Sequence, residues 1–77
     1  MPRPELTKTQ ALLLGYLNSN SNKAVSRDEL SENVWGTPYR ATTRTIDQTV
    51  ATLRRKLAPG EKIVSVRSVG YRLERGD

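Results

Sequence analysis

The sequence predicts a mainly α fold: three helices followed by a small C-terminal β-hairpin. Three observations carry this. Two capping boxes, Thr7…Gln10 and Ser26…Glu29, each stand ahead of an apolar run and mark helix starts. Thr43 to Leu57 places Ile46, Val50, Leu53 and Leu57 at i, i+4, i+7 and i+11, one face of a third helix. After Pro59-Gly60 the chain turns to Val- and Ile-rich, partly alternating sequence, the pattern of strands.

Taken in order, Met1 to Glu5 holds two prolines and is expected to fray, as are residues 75–77. The first helix should run from Lys8 to Asn18, capped by Thr7, with Leu6 and Ala11 placed as a hydrophobic staple. Leu13 and Leu17, with Tyr16 and Leu12, make its inward face. The polar run Asn18 to Asn22 ends it. Lys23-Ala24-Val25 reads as a very short strand or an extended link. A second helix should run from Arg27 to about Trp35, with Asp28 and Glu29 at the positive end of its dipole and Leu30 and Val34 inward. Gly36 and Pro38 stop it. Trp35 reads either as a surface ring whose indole N–H meets a phosphate or as a core-edge residue. Gly36 to Thr42 is a loop, too long for a tight helix-turn-helix turn, and Thr42 or Thr43 caps the third helix. The strands should span Ile63–Arg67 and Tyr71–Glu74, joined by a turn at Ser68-Val69-Gly70. A hairpin this small must pack on the helices to be stable.

The 77 residues make one small domain, 1–77, with little chain to spare for a deep pocket. Formal net charge is +5 and uneven: residues 1–41 carry five basic and four acidic side chains, residues 42–77 eight and four. A basic C-terminal half points to a polyanion, most commonly nucleic acid. The chain has no histidine and no cysteine. That excludes His-dependent triads, His- or thiolate-ligated metal and disulfides, and it matches a reducing compartment. No apolar run reaches membrane-spanning length. With no phosphate-cradling Gly-rich motif either, the expectation is no enzyme, no cofactor, no metal and no small-molecule substrate. One tryptophan and three tyrosines form no stacking stripe for single-stranded nucleic acid.

The outer face of the third helix sharpens the expectation. It carries Arg44, Gln48, Thr52 and Arg55, flanked by Thr45 and Ala51, with no large apolar residue. Arginine and glutamine can each make paired contacts to a base edge, and threonine and alanine can meet a thymine methyl. This is what a helix lying in the major groove requires; a solvated basic face is the alternative. Arg67, near the hairpin tip, can likewise enter a minor groove or remain solvated.

Five pieces then carry a resemblance: Val25 to Leu30 (VSRDEL), Val34-Trp35-Gly36, Arg44 to Asp47 (RTID), Leu53 to Leu57 (LRRKL) and Val66 to Leu73 (VRSVGYRL). In this order and spacing the chain resembles the winged helix-turn-helix DNA-binding effector domain of OmpR/PhoB-type response regulators, from Leu6 to Leu73. The resemblance implies a bacterial transcription regulator acting on double-stranded DNA in the cytoplasm, at the nucleoid. The third helix (43–57) would lie in the major groove and the wing hairpin (63–73) at the adjacent minor groove. Carried over by position, Arg27 and Trp35, with Arg44, Thr45 and Arg54, would meet phosphates or groove edges. Ser65, Arg67 and Tyr71 would be wing contacts. Gln48, Thr49 and Thr52 stand where residues vary with target sequence, beside Arg55. Pro38, Tyr39 and Arg40 would protrude from a loop that can contact RNA polymerase, and homodimers on repeated half-sites are implied.

Three departures accompany the resemblance. The family places a four-stranded sheet before the first helix, and only five residues precede Leu6 here, so that sheet is not expected in this chain. Ala51 and Thr52 stand where relatives often carry arginines, so fewer charged base contacts are expected. Ser68 replaces a frequent wing-turn glycine and predicts a different turn, because a non-glycine residue disfavours positive φ. The uncovered first helix raises a second reading, a winged helix docking on RNA polymerase or another regulator, with Leu12 and Leu14 exposed.

Overall fold

The computed structural model describes residues 5–36 and 41–76. Helix α1 (Lys8–Ser19) opens on the predicted capping box: Gln10 N–H donates to Thr7 Oγ1 at 3.1 Å and Thr7 N–H donates to Gln10 Oε1 at 3.0 Å. Strand β1 (Val25–Ser26) follows. Helix α2 (Arg27–Leu30) continues directly into a π-helical segment, Ser31–Trp35, which Gly36 N–H closes onto the Ser31 carbonyl at 3.0 Å. Only half of the second capping box forms. Glu29 N–H donates to Ser26 Oγ at 3.1 Å, but the Glu29 carboxylate instead accepts from the Tyr16 hydroxyl and ties α2 to α1. The buried Ser31 hydroxyl accepts from Ala41 N–H at 2.9 Å, fastening the far end of the loop that leads into α3.

Helix α3 (Thr43–Arg54) is capped by Thr42, whose Oγ1 accepts from Thr45 N–H at 3.1 Å. It ends a turn before the predicted Leu57. Arg55 N–H and Lys56 N–H turn to the carbonyls of Thr52 and Leu53, three residues back, which tightens and closes the last turn. Leu57 still packs at the edge of the core. Strands β2 (Glu61–Val66) and β3 (Gly70–Arg75) are longer than predicted, and Arg67 falls in the turn rather than in a strand. Arg75, expected to fray, ends β3, and its Nη1 donates to Asn18 Oδ1 at 2.7 Å; Gly76 N–H reaches the Gly60 carbonyl at 2.8 Å.

The hairpin does not stand alone. β1 pairs antiparallel with β3, giving a three-stranded sheet in the order β1-β3-β2, so the short-strand reading of Val25 holds. Its register sets Ile63 opposite Leu73 and Ser65 opposite Tyr71. Ile63, Tyr71 and Leu73 thereby share the inner face and join Leu13, Leu14, Leu17, Leu30, Ile46, Val50 and Leu53 in one core. Two expectations for α1 reverse. Leu14 is buried by the chain itself, whereas Leu12 is 47% exposed. The leucine run 12–14 hides the face in the sequence; Gln10, Leu13, Leu14 and Leu17, at i, i+3, i+4 and i+7, are the buried set.

Gly70, a turn residue by sequence, opens β3 opposite Ser26. A Cβ there would lie 2.1 Å from the Val25 carbonyl oxygen and about as close to the Ser26 and Arg27 backbone as 3.0 and 3.1 Å. Only glycine lets the two backbones meet. Gly70→Ala should therefore cost more than about 2 kcal/mol in urea unfolding; a change within about 0.5 kcal/mol would mean the strands separate freely.

The wing turn is closed by Val69 N–H on the Val66 carbonyl at 3.0 Å, and Ser68 sits at φ +65°. The expected avoidance of positive φ does not occur. Among the four turn residues only this third one has positive φ, as in a type II turn, and the chain accepts the local strain because the Val66–Gly70 register fixes the ends. Ser68→Gly should raise stability by up to about 1 kcal/mol, since relief of the left-handed strain exceeds the added unfolded-state entropy. Thermal melting reads this as a rise of a few degrees.

Candidate nucleic-acid interface

Helix α3 divides into four stripes, each set by the helical repeat. Ile46, Val50 and Leu53 are buried. Opposite them Arg44, Gln48, Ala51 and Arg55, at i, i+4, i+7 and i+11, are all exposed. Ala51, expected on the flank, belongs to the middle of this outer stripe. Among the described residues, none of Arg44, Gln48 and Arg55 is held by a side-chain hydrogen bond or ion pair.

The third stripe faces α1. Gln10, 6% exposed, donates from Nε2 to Thr52 Oγ1 at 3.0 Å, and its Oε1 accepts from Lys56 Nζ at 2.9 Å. Thr52 Oγ1 in turn donates to the Thr49 carbonyl, and Thr49 Oγ1 to the Thr45 carbonyl, at 2.9 and 2.8 Å. The Thr45 hydroxyl accepts from Thr42 Oγ1 at 3.0 Å. Thr45, Thr49 and Thr52, all candidates for contact, thus have their hydroxyls occupied within the domain. Thr52 is exposed and at the same time a strut to α1.

The fourth stripe faces the sheet and centres on Asp47, whose role no local sequence pattern announces. Asp47 Oδ1 accepts from Tyr71 Oη at 2.5 Å and from Arg27 Nε at 3.0 Å. The Arg27 and Arg54 guanidinium carbons lie 5.0 and 5.6 Å from the Tyr71 ring centroid. Arg54 donates from Nε to the Ile63 carbonyl at 3.0 Å and from Nη2 to Ser65 Oγ at 3.1 Å. The cluster ties α2, α3, β2 and β3 together. Tyr71, a wing-contact candidate, lies in the core at 4% exposure, with its hydroxyl bonded to Asp47. The signal available in the sequence was a lone carboxylate on a helix whose other charges are all positive.

Beyond α3, Arg67 is exposed in the wing turn and, among the described residues, has no partner; Val69 beside it is 42% exposed. Trp35 is half-buried at the core edge, so one ring meets both the core and the surface. Pro38, Tyr39 and Arg40 lie outside the described residues. Among the described residues no group of three His, Cys, Asp or Glu could hold a metal, and no helix is long and apolar enough to cross a membrane.

The cluster has an electrostatic signature. The Tyr71 hydrogen bond, and then Arg27, hold the Asp47 carboxyl below its ordinary range against partial desolvation. Burial, and then the bond to Asp47, push the Tyr71 phenol up. A carboxyl held below its unfolded value, near 3.9, adds stability that is complete above that value and is lost as pH falls through the folded one. Stability should therefore decline on acidification below about pH 5, and Asp47→Asn should remove part of that decline. Melting curves across this range check it; parallel acid limbs for both proteins would show that Asp47 is not coupled to folding.

The family model described as "Transcriptional regulatory protein, C terminal" matches residues 2–73. The transcriptional regulatory protein VxrB of Vibrio cholerae is 46% identical over 69 residues, which cover 90% of this chain and 28% of that protein. The chain thus spans less than a third of that relative's length. Among solved structures, the DNA-binding domain of Bacillus subtilis CssR is 33% identical with a TM-score of 0.80, covering 90% of this chain and 77% of that one. The Klebsiella pneumoniae RstA DNA-binding domain, solved in complex with the RstA box, is 27% identical with a TM-score of 0.77, covering 91% and 73%.

Proposed function

The chain belongs to the family of C-terminal domains of transcriptional regulatory proteins, the OmpR/PhoB-type winged-helix effector domains, and from this we propose that it binds double-stranded DNA in a sequence-dependent way to regulate bacterial transcription. The observation that carries the proposal is the outer stripe of α3. Arg44, Gln48, Ala51 and Arg55 are exposed and uncommitted, while the other polar side chains of α3 between Thr45 and Arg54 are engaged inside the domain. An outer stripe made of a fork-shaped cation, an amide, a methyl and a second cation presents the chemistry of major-groove readout.

In this reading Gln48 and Ala51 discriminate bases, with an amide suited to adenine and a methyl suited to thymine. Arg44 and Arg55 flank them at base or phosphate. Arg67 takes the adjacent minor groove, where negative potential is concentrated. Arg27, Arg54 and the half-buried Trp35 meet the phosphate backbone. Ser65 acts by seating Arg54, as the 3.1 Å bond suggests. Two copies on repeated half-sites, in the cytoplasm at the nucleoid, are the finer form of the proposal. The alternative of a protein-docking module is less well supported. Leu14 is covered by the chain itself, and a single exposed Leu12 is not an apolar patch.

The test is affinity for selected and for random-sequence duplex DNA across a salt series. Gln48→Ala should reduce the difference between the two by about 1–3 kcal/mol while changing random-sequence affinity little. Arg67→Ala should shallow the salt dependence by about one unit of slope. No binding to any duplex at low salt would overturn the proposal; an unchanged preference in Gln48→Ala would overturn the assignment of the reading face.

A further inference from the structure

Resting on the DNA-binding reading above, we propose that Asp47 is a positioning residue: it holds the Arg27 guanidinium in place for a phosphate of the duplex. Three observations carry this. Arg27 is bound through Nε, which leaves its two terminal nitrogens outside that bond as phosphate donors. The oxygen it binds is shared with the hydroxyl of the buried Tyr71, whose ring lies under the same guanidinium, so carboxylate and ring fix the arginine from two sides. Arg27 is also the first residue of α2, at the positive end of the helix dipole, where a cation gains nothing for the helix.

Stability does not account for the ion pair between Asp47 and Arg27. The Arg27 and Asp47 side chains are 32% and 41% exposed, and ion pairs this open to water add little to folding. A carboxylate on a surface meant for a polyanion costs affinity by repulsion unless it returns something. What it returns is orientation. A free arginine loses rotamer freedom on meeting a phosphate; one already pinned by Asp47 and Tyr71 has lost that freedom before binding. Arg54 is seated on the other contact of the same ring by Ile63 and Ser65, so the two arginines form a preset pair joining α2 to the wing.

The experiment measures binding of the full chain to random-sequence duplex DNA between about 50 and 200 mM salt. It compares wild type, Asp47→Ala, Asp47→Asn, Arg27→Ala and the Arg27→Ala/Asp47→Ala double variant, at a temperature where melting shows each to be folded. Asp47→Ala should weaken binding about tenfold and lower the salt slope by roughly 0.9, although it removes a negative charge. Asp47→Asn should restore affinity to wild type or better, because the amide oxygen accepts both hydrogen bonds without the charge. In the Arg27→Ala background, Asp47→Ala should no longer weaken binding. If Asp47→Ala does not fold, Asp47→Glu decides instead: it keeps the charge but displaces the carboxylate, and should weaken binding several-fold.

Tighter binding in both Asp47→Ala and Asp47→Asn would overturn the inference, leaving Asp47 as an opposing charge only. An equal loss with and without Arg27, or wild-type affinity in Asp47→Glu where that variant decides, would overturn it as well. Absence of wild-type binding at low salt would instead remove the DNA-binding reading on which it rests.

Discussion

The rest of the molecule depends on one close approach, that of the β3 backbone at Gly70 to the backbone of Val25, Ser26 and Arg27. Two residues of β1 are a weak strand by themselves. Laid against β3, they fix where α2 begins, and so where Arg27 stands. The same pairing sets Tyr71 beside Val25, with its ring in the core and its hydroxyl on Asp47 of α3. A single glycine thus lets the start of α2, the middle of α3 and the base of the wing share one contact. A side chain there would push the strands apart and separate the elements that the interface needs together.

Charge is divided with similar economy. The chain has thirteen basic residues, and their work differs by position. Arg27, Arg54, Lys56 and Arg75 hold elements to one another, and Arg72 pairs with Glu74 along β3 at 2.6 Å. Arg44, Arg55 and Arg67 remain uncommitted, on the outer stripe of α3 and at the wing turn. Net charge alone would treat all of these alike as attraction for a polyanion. The structure separates cations that build the surface from those left to use it. It also shows that the first kind can serve the second purpose, since Arg27 and Arg54 keep donors outside their internal bonds.

Some elements were legible residue by residue. The Thr7…Gln10 box formed as read, because capping chemistry lies within four consecutive residues. The buried face of α3 formed too, because a 3.6-residue period is local. The errors lie where a distant element intervenes. Glu29 was expected to close its own capping box, yet its carboxylate goes to Tyr16, on the helix before it. Leu12 and Leu14 could not be told apart within a leucine run until the packed fold buried one of them. Ser68 adopted the conformation it disfavours because strand register outweighs a local cost of about 1–2 kcal/mol. Thr52 is exposed, as the helical wheel has it, but Gln10, forty-two residues earlier, claims its hydroxyl.

The sequence by itself determined the fold class, the family resemblance and the Arg44, Gln48 and Arg55 positions of the outer stripe of α3, since each follows from local periodicity, capping and motif order. Only the tertiary structure decided which polar groups on that helix are free. Asp47 makes the point. In the sequence it is one acid among basic neighbours; in the fold it accepts from a tyrosine twenty-four residues ahead and an arginine twenty residues behind. Hydrogen bonds are satisfied in space rather than along the chain, so the difference between a side chain that holds the domain together and one that reaches outward arises when the distant partners meet.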